Sequence, residues 1–523
     1  MAERKRSHFA WGFEDAFPTD ERRGQLAGLV GPLLQGSAVP VLRPLPRIED
    51  ARVPEASLEV PAALAAIASA DREVRLRHAM GRGYRDLVRA FAGDFASAPD
   101  LVATPRTEDD LERVLAWAEA AGCAVIPWGG GTSVVGGVDG ARPAGKNGVV
   151  SLDLGAFDRV LEVDAVSRTA RIQAGCTGPA LEAQLRTHGL TLRFFPQSFE
   201  LSTLGGWIAT RAGGHYATAW THIDDLTQAV TMLTPRGWWS APRVPASGAG
   251  PSPDRMVLGS EGILGVITEA WMRVVPRPTW RVRATVRCGA WDEAVGLARS
   301  IVQAGCFPQT LRVLDAAEAM LAGLAPGPLV LIGFEASDAD PSPQMARALA
   351  HAKGLTVEGP KLREGDRDEG GTPGVWKAAF LDMPYLQSAL VSLGVLADTF
   401  ETACTWAAFP ALDAAVRAAV SAAGCPLISC RFTHVYPDGP APYYTFVGPV
   451  RVGEELDTWA RVKQAASDAL AAHGGTITHH HAIGRTHRPW YDRELPAPFA
   501  AALAGAKAAL DPAGMLNPGV LLG

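Results

Sequence analysis

The chain has 523 residues, too many for a single compact core, so two or three domains are expected. Its 47% hydrophobic and 20% charged residues are those of a globular protein, and a net charge of -6 leaves no basic field for general nucleic-acid binding. The seven cysteines are scattered without a CxxC pair, which reads as free thiols in a reducing, cytoplasmic compartment.

Residues 1–96 mix aromatics, prolines and charged helical patches and read as an N-terminal extension, with 62–92 helical apart from a break near Gly81-Arg82-Gly83. From Thr107 to Gly122 a helix is predicted. Thr107 is a good N-cap, Glu108, Asp109 and Asp110 suit the positive end of the dipole, and Leu111, Val114, Leu115 and Ala118 form one apolar face. An apolar strand, Ala124-Val125-Ile126, leads into Pro127, Trp128, Gly129, Gly130, Gly131, Thr132 and Ser133. Glycines let backbone approach a ligand closely, and N–H groups with the Thr132 and Ser133 hydroxyls can converge on a phosphate, although the same cluster also makes an ordinary turn. Arg159–Asp164 and Thr169–Ala174 read as a hairpin by their period-2 alternation, and Thr177–His188 as a helix.

Pro196-Gln197-Ser198-Phe199-Glu200-Leu201-Ser202 leads into Gly205-Gly206 and on to Thr210-Arg211-Ala212. Two glycines weaken a helix by about 1 kcal/mol each, so either a flat ring or a neighbouring backbone approaches here. Strands are expected at 226–233 and 263–275, with the Pro- and Gly-rich 242–253 an exposed loop between them. The run Glu261, Gly262, Ile263, Leu264, Gly265, Val266, Ile267 offers backbone groups to a pyrophosphate or a ring edge. Pro276-Arg277-Pro278 marks a boundary, after which strands at 281–287, 310–314 and 329–335 alternate with helices at 291–304 and 316–323, and 338–344 and 365–374 read as loops. Further on, Tyr443-Tyr444 lies in an aromatic strand, and Thr476–Gly484 reads as a strand with His479 and His481 on one face and His480 on the other. Histidines two apart could share a metal ion, but no neighbouring carboxylate or cysteine completes a set, so no metal is expected.

In combination, PWGGGTSVVGG, PQSFELSTLGGWIATRAGG, GSEGILGVITEA, LRVLD and THHHAIG resemble the vanillyl-alcohol-oxidase/PCMH flavoprotein superfamily, and within it the alkyldihydroxyacetonephosphate synthase (alkylglycerone-phosphate synthase) family. The resemblance spans nearly the whole chain. It implies an α+β fold: an extension over 1–96, a PCMH-type two-subdomain FAD-binding domain over 97–278, an α+β cap over 279–470, and a C-terminal segment, 471–523, returning to the FAD domain. FAD is the implied cofactor, touched by 127–133, 196–202, 205–206, 210–212 and 261–267. The implied chemistry exchanges the acyl group of an acyl-dihydroxyacetone phosphate for a long-chain alcohol through a flavin N5 adduct; an FAD-dependent oxidase or dehydrogenase of an alcohol or 2-hydroxy acid is the alternative. Catalytic residues implied are Tyr443, with Tyr444 adjacent, the histidines His479, His480 and His481, and Arg312, which also binds substrate. Where the family carries a substrate-binding arginine, this chain has Gln387, which lacks the charge and the bidentate fork; Arg431 or Lys377 could compensate. The stretch His434-Val435-Tyr436-Pro437-Asp438-Gly439 starts like the metal motif of hydroxy-acid dehydrogenases but lacks its second histidine. A small-molecule or lipid substrate and no nucleic acid are expected, with peripheral membrane contact and a homodimer left open.

Overall fold

The computed structural model describes residues 4–34, 40–324, 326–365 and 372–522; the side chains of Leu33 and of 372–381, Lys377 among them, lie outside the described set. Among the described residues three larger sheets position the site, beside a two-stranded ribbon of Leu190–Thr191 and Val275–Pro276. The first, a small sheet, orders its strands Ala68–Ser69, Leu101–Ala103, Val149–Asp153, Ala124–Trp128, with Val149–Asp153 parallel to both neighbours. Helix Glu108–Ala120 covers it. Thr107 and Asp110 exchange side-chain and backbone hydrogen bonds at 3.1 Å in a capping box, and the predicted face buries Leu111, Val114, Leu115 and Ala118. Each large apolar side chain buried there is worth about 1.5–3 kcal/mol. The C-terminal segment adds to the open edge: Val125 donates to Met515 O at 2.8 Å and receives from Asn517 N–H at 2.9 Å.

The second sheet is antiparallel, in the order Val160–Asp164, Thr169–Gln173, Val266–Arg273, Thr227–Thr234, Gly237–Ser240, which includes the expected hairpin. The third has seven antiparallel strands: Thr356–Glu364, Trp280–Arg287, Leu329–Ala336, Thr310–Leu314, Leu427–Val435, Pro440–Pro449 and Val395–Glu401. Helices Trp291–Gln303, Phe409–Ala422 and Glu455–Ala472 contribute to the core on one of its faces, with Leu311, Val313, Cys430, Phe432, Tyr444 and Phe446. Strand alternation sends the intervening Arg312, Arg431, Thr433, Tyr443 and Thr445 to the opposite face.

Three expectations change. Residues 62–92 are not one broken helix: Ala62–Leu64 is a 3₁₀ turn and Ala68–Ser69 pairs with Val102 and Ala103, so completing a sheet edge overrides helix propensity until Arg72–Arg77 and Tyr84–Phe91. A helix starts at Ser342 inside the expected 338–344 loop; of the 365–374 loop, 366–371 lie outside the described residues and helix Thr372–Ser392 follows. Residues 476–484 form no strand, because their N–H groups turn inward on a buried carboxylate.

Candidate active site

The strand Ala124–Trp128 delivers the glycine loop to the wall of a long cavity that runs to the polar face of the seven-stranded sheet. Loop packing accounts for the glycines. A Cβ on Gly130 would sit 2.1 Å from Leu201 O and one on Gly129 would sit 2.2 Å from Thr203 Oγ1, while Gly131 has φ +62°. The fold leaves the amides of Gly130, Gly131 and Thr132 without an acceptor among the described residues, a donor set suited to a pyrophosphate. Ser133 Oγ already accepts from Gly137 N–H at 2.9 Å, so this hydroxyl shapes the loop.

Helix Leu204–Thr210 is capped by Thr203 and separates the two readings of its glycine pair. A Cβ on Gly205 would lie 2.7 Å from Ala174 Cβ, a packing contact; one on Gly206 would meet only Thr203 Oγ1, at 3.4 Å, and Gly206 opens onto the cavity. Pro127, Trp128, Pro196, Gln197, Ser198, Ser202, Thr210, Ala212, Glu261, Gly262, Gly265 and Ile267 line the same cavity. Five predicted contacts do not. The Glu200 carboxylate is turned to Tyr385 Oη at 2.8 Å and to Arg4, and Arg211, in the left-handed region at φ +50°, pairs with Asp224 at 2.8 Å. Ile263, Leu264 and Val266 are apolar and enter the cores beside the strand. Glu261 works as a clamp. Its carboxylate accepts from Ile483 and Gly484 N–H at 2.9 and 2.8 Å, its carbonyl accepts from Asn517 Nδ2 at 2.7 Å, and burial pushes its pKa up to about 7.

At the sheet end, register decides between the tyrosines. Tyr444 is fully buried in the core beneath the seven-stranded sheet and donates to Asp413 at 3.0 Å; Tyr443 lines the cavity and donates to Thr399 Oγ1 at 3.0 Å. Burial raises the Tyr443 pKa, against the Arg431 guanidinium lying 3.9 Å over its ring. Arg431 is ion-paired to the buried Glu318, and Arg312 donates to the carbonyls of Thr433 and His215. Burial, reinforced by Arg431, brings Arg312 down to about 9, which leaves it charged at neutral pH. Gln387 also lines the cavity and donates to Ala397 O and Asp398 Oδ1, both at 3.1 Å.

The histidine loop wraps Glu401, which faces Tyr443 across the sheet. The Glu401 carboxylate accepts from the amides of His479, His480 and His481 at 2.7, 3.2 and 3.0 Å, and from the Thr478 hydroxyl. Burial opposes its charge, but the donors wrapped around it, the Thr478 hydroxyl among them, hold its pKa below the carboxylate range. Burial likewise pushes the three imidazoles below the ordinary histidine value, which keeps them neutral. His480 and His481 line the cavity; His479 lies behind them, with Nε2 at 2.9 Å from His222 Nε2 and 2.8 Å from Tyr436 Oη. The carboxylate judged absent near the histidines is therefore Glu401, 78 positions upstream of His479.

Trp11, Arg82, Thr399, Arg431, His434 and Asn517 also line the cavity. Of these Arg431 carried a signal, a charge between the apolar Cys430 and Phe432 of one strand; the others are joined only by the fold.

Residues 99–240 match the family described as FAD binding domain, and 277–521 match FAD linked oxidases, C-terminal domain. A solved alkyldihydroxyacetonephosphate synthase superposes with TM-score 0.82 at 25% identity, covering 98% of each chain. The alkyldihydroxyacetonephosphate synthase of Trypanosoma brucei brucei is 30% identical over 86% of this chain and 78% of its own. The chain belongs to the alkyldihydroxyacetonephosphate synthase family. The synthase of Dictyostelium discoideum is 28% identical over the same shares. As a member of the alkyldihydroxyacetonephosphate synthase family with both flavin-linked domains, the chain is an FAD-dependent enzyme, and the free amides of the glycine loop and the open face of Gly206 suit that cofactor. Among the described residues no helix is long and apolar enough to cross a membrane.

Proposed function

We propose that the enzyme exchanges the acyl group of an acyl-dihydroxyacetone phosphate-like substrate for a long-chain alcohol, as its relatives' names indicate. The observation that carries this reading is the meeting of Arg312, Arg431, Tyr443 and an apolar arm in one cavity. Arg312 and Arg431 bind the phosphate, so that the charge missing at Gln387 is supplied from the adjacent strands. Leu321, Met383, Leu386, Leu390 and Val447 take the alkyl chains. The amides of Gly130, Gly131 and Thr132 would hold the pyrophosphate of FAD, which would supply electrophilic ring chemistry that side chains lack. The Tyr443 phenol oxygen, oriented by Thr399, moves the substrate proton, and the neutral imidazoles of His480 and His481 accept and return it. His479 supports them from behind.

The same reading divides the chain into an extension over 1–96, a PCMH-type domain over 97–278, a cap over 279–470 and a returning segment over 471–523. Its seven free cysteines support a cytoplasmic setting. A homodimer, and contact with a lipid surface through the exposed Met320 and Leu321 beside the apolar arm, belong to the reading as well.

The test is anaerobic mixing of the FAD-loaded protein with acyl-dihydroxyacetone phosphate and a fatty alcohol. Ether-lipid product without net bleaching of the flavin supports the exchange. Bleaching by a 2-hydroxy acid with a ketone product, and no ether lipid, overturns it in favour of an oxidoreductase.

A further inference from the structure

Beside Tyr443, His434, His479 and His480 each bring one ring nitrogen to within 4.8 Å of the others. His434 comes from strand Leu427–Val435, whereas the other two come from the loop that wraps Glu401. The hydrogen bonds fix the His434 ring. Its Nε2 lies 2.9 Å from Gly214 O, so Nε2 carries the proton and donates to that carbonyl. Its Nδ1 then holds a lone pair, and this atom is buried with no hydrogen-bond partner. A buried acceptor left unmatched costs about 1–3 kcal/mol. His479 Nδ1 and His480 Nδ1 are 3.1 Å apart, close to the roughly 3.4 Å expected between two nitrogens that share a tetrahedral ion at about 2.1 Å. A hydrogen bond between those two rings would explain their approach but would leave His434 Nδ1 unmatched.

We propose that His434, His479 and His480 form a binding site for a transition-metal ion of the zinc class. Imidazole is a ligand such ions favour at neutral pH, and the three rings bring three such nitrogens together. The second shell fits as well. His434 donates its other N–H to a backbone carbonyl, the usual partner of a metal-bound histidine, and His479 Nε2 meets Tyr436 Oη at 2.8 Å. Glu401 Oε2, 3.5 Å from His480 Nδ1, supplies negative charge beside the ion. Only His434 belongs to the metal-like stretch noted in the sequence; the missing second histidine is replaced by residues 479 and 480, about 45 positions on. His480 also lines the cavity, so the ion would tether one wall of the reaction chamber to the strand that carries Arg431.

The test reads metal rather than product. FAD-loaded protein, stripped with a chelator, is titrated with Zn2+ by calorimetry, and with Co2+ while its absorption is followed on the long-wavelength side of the flavin band. The expected result is one Zn2+ per chain, a tetrahedral Co2+ signal, and a loss of at least about 100-fold in Zn2+ affinity in His434→Gln and in His479→Gln. His351→Ala, on an exposed residue, keeps wild-type affinity. Flavin content and melting temperature, read on each variant, separate a lost ligand from a lost fold. Failure of the folded wild type to bind a stoichiometric ion, or Zn2+ binding that survives in both folded ligand variants, overturns the proposal.

Discussion

Replacing Glu401 with glutamine removes the charge around which the histidine loop is wound. In the wild type Oε1 receives His480 N–H, His481 N–H and the Thr478 hydroxyl, while Oε2 receives His479 N–H. Glutamine keeps one acceptor oxygen. In its best orientation that oxygen stays at the Oε1 position, and the amide NH2 faces the His479 N–H, donor against donor. One orphaned buried donor costs about 1–3 kcal/mol, and three hydrogen bonds each weaken by about 1 kcal/mol as the acceptor becomes neutral. The sum is about 4–6 kcal/mol, an upper bound because the loop can relax. Since 1.4 kcal/mol is tenfold in an equilibrium constant, even 4 kcal/mol raises the population of the opened loop about a thousandfold. Native-state hydrogen exchange reads this directly: the amides of residues 479–481 in Glu401→Gln should exchange about a thousandfold faster than in wild type, with the core strand Ala124–Trp128 unchanged. Wild-type protection of those amides in the variant would refute the idea that the carboxylate holds the loop.

Tyr443→Phe should keep its flavin and lose roughly 10²–10⁴-fold in kcat, whereas Tyr444→Phe should keep turnover and lose about 1–3 kcal/mol of stability with its bond to Asp413, as steady-state kinetics and denaturant melts would report. Gly205→Ala drives a Cβ to 2.7 Å from Ala174 and should leave little folded holoprotein, while Gly206→Ala should fold and bind FAD more weakly, read by flavin absorbance per chain. Glu261 has a folded pKa of about 7 against an ordinary 4.5, so its stabilisation is complete below 4.5 and is lost as pH rises through 7. The melting temperature of wild type relative to Glu261→Gln should therefore fall from pH 5 to pH 8, by the equivalent of about 3 kcal/mol, and a pH-independent difference would contradict the burial argument.

The glycine loop, the hairpin, the capped helix Glu108–Ala120 and three strands of the seven-stranded sheet were legible because each is written in local signals: turn residues, alternation, an N-cap. Tyr443 and Tyr444 show the limit of such signals. Adjacent strand positions face opposite ways, and only the seven-stranded sheet, with helices on one side, says which way is the cavity. The histidine stretch misled for a related reason. Its β-branched neighbours favour a strand, but Glu401, on a distant strand, draws three successive amides to one point, which no extended chain permits. Glu200 and Arg211 sit beside true wall residues, yet each is drawn aside by a partner, Tyr385 and Asp224, that no local pattern joins to it.

The bond from Asn517 to the Glu261 carbonyl spans 256 positions, and the same amide group reaches Gly137 O at 3.0 Å. The whole seven-stranded sheet lies between these two partners in sequence. During synthesis Glu261 therefore precedes its Asn517 partner by every strand of the seven-stranded sheet, and this bond can close only after that sheet's residues have been made.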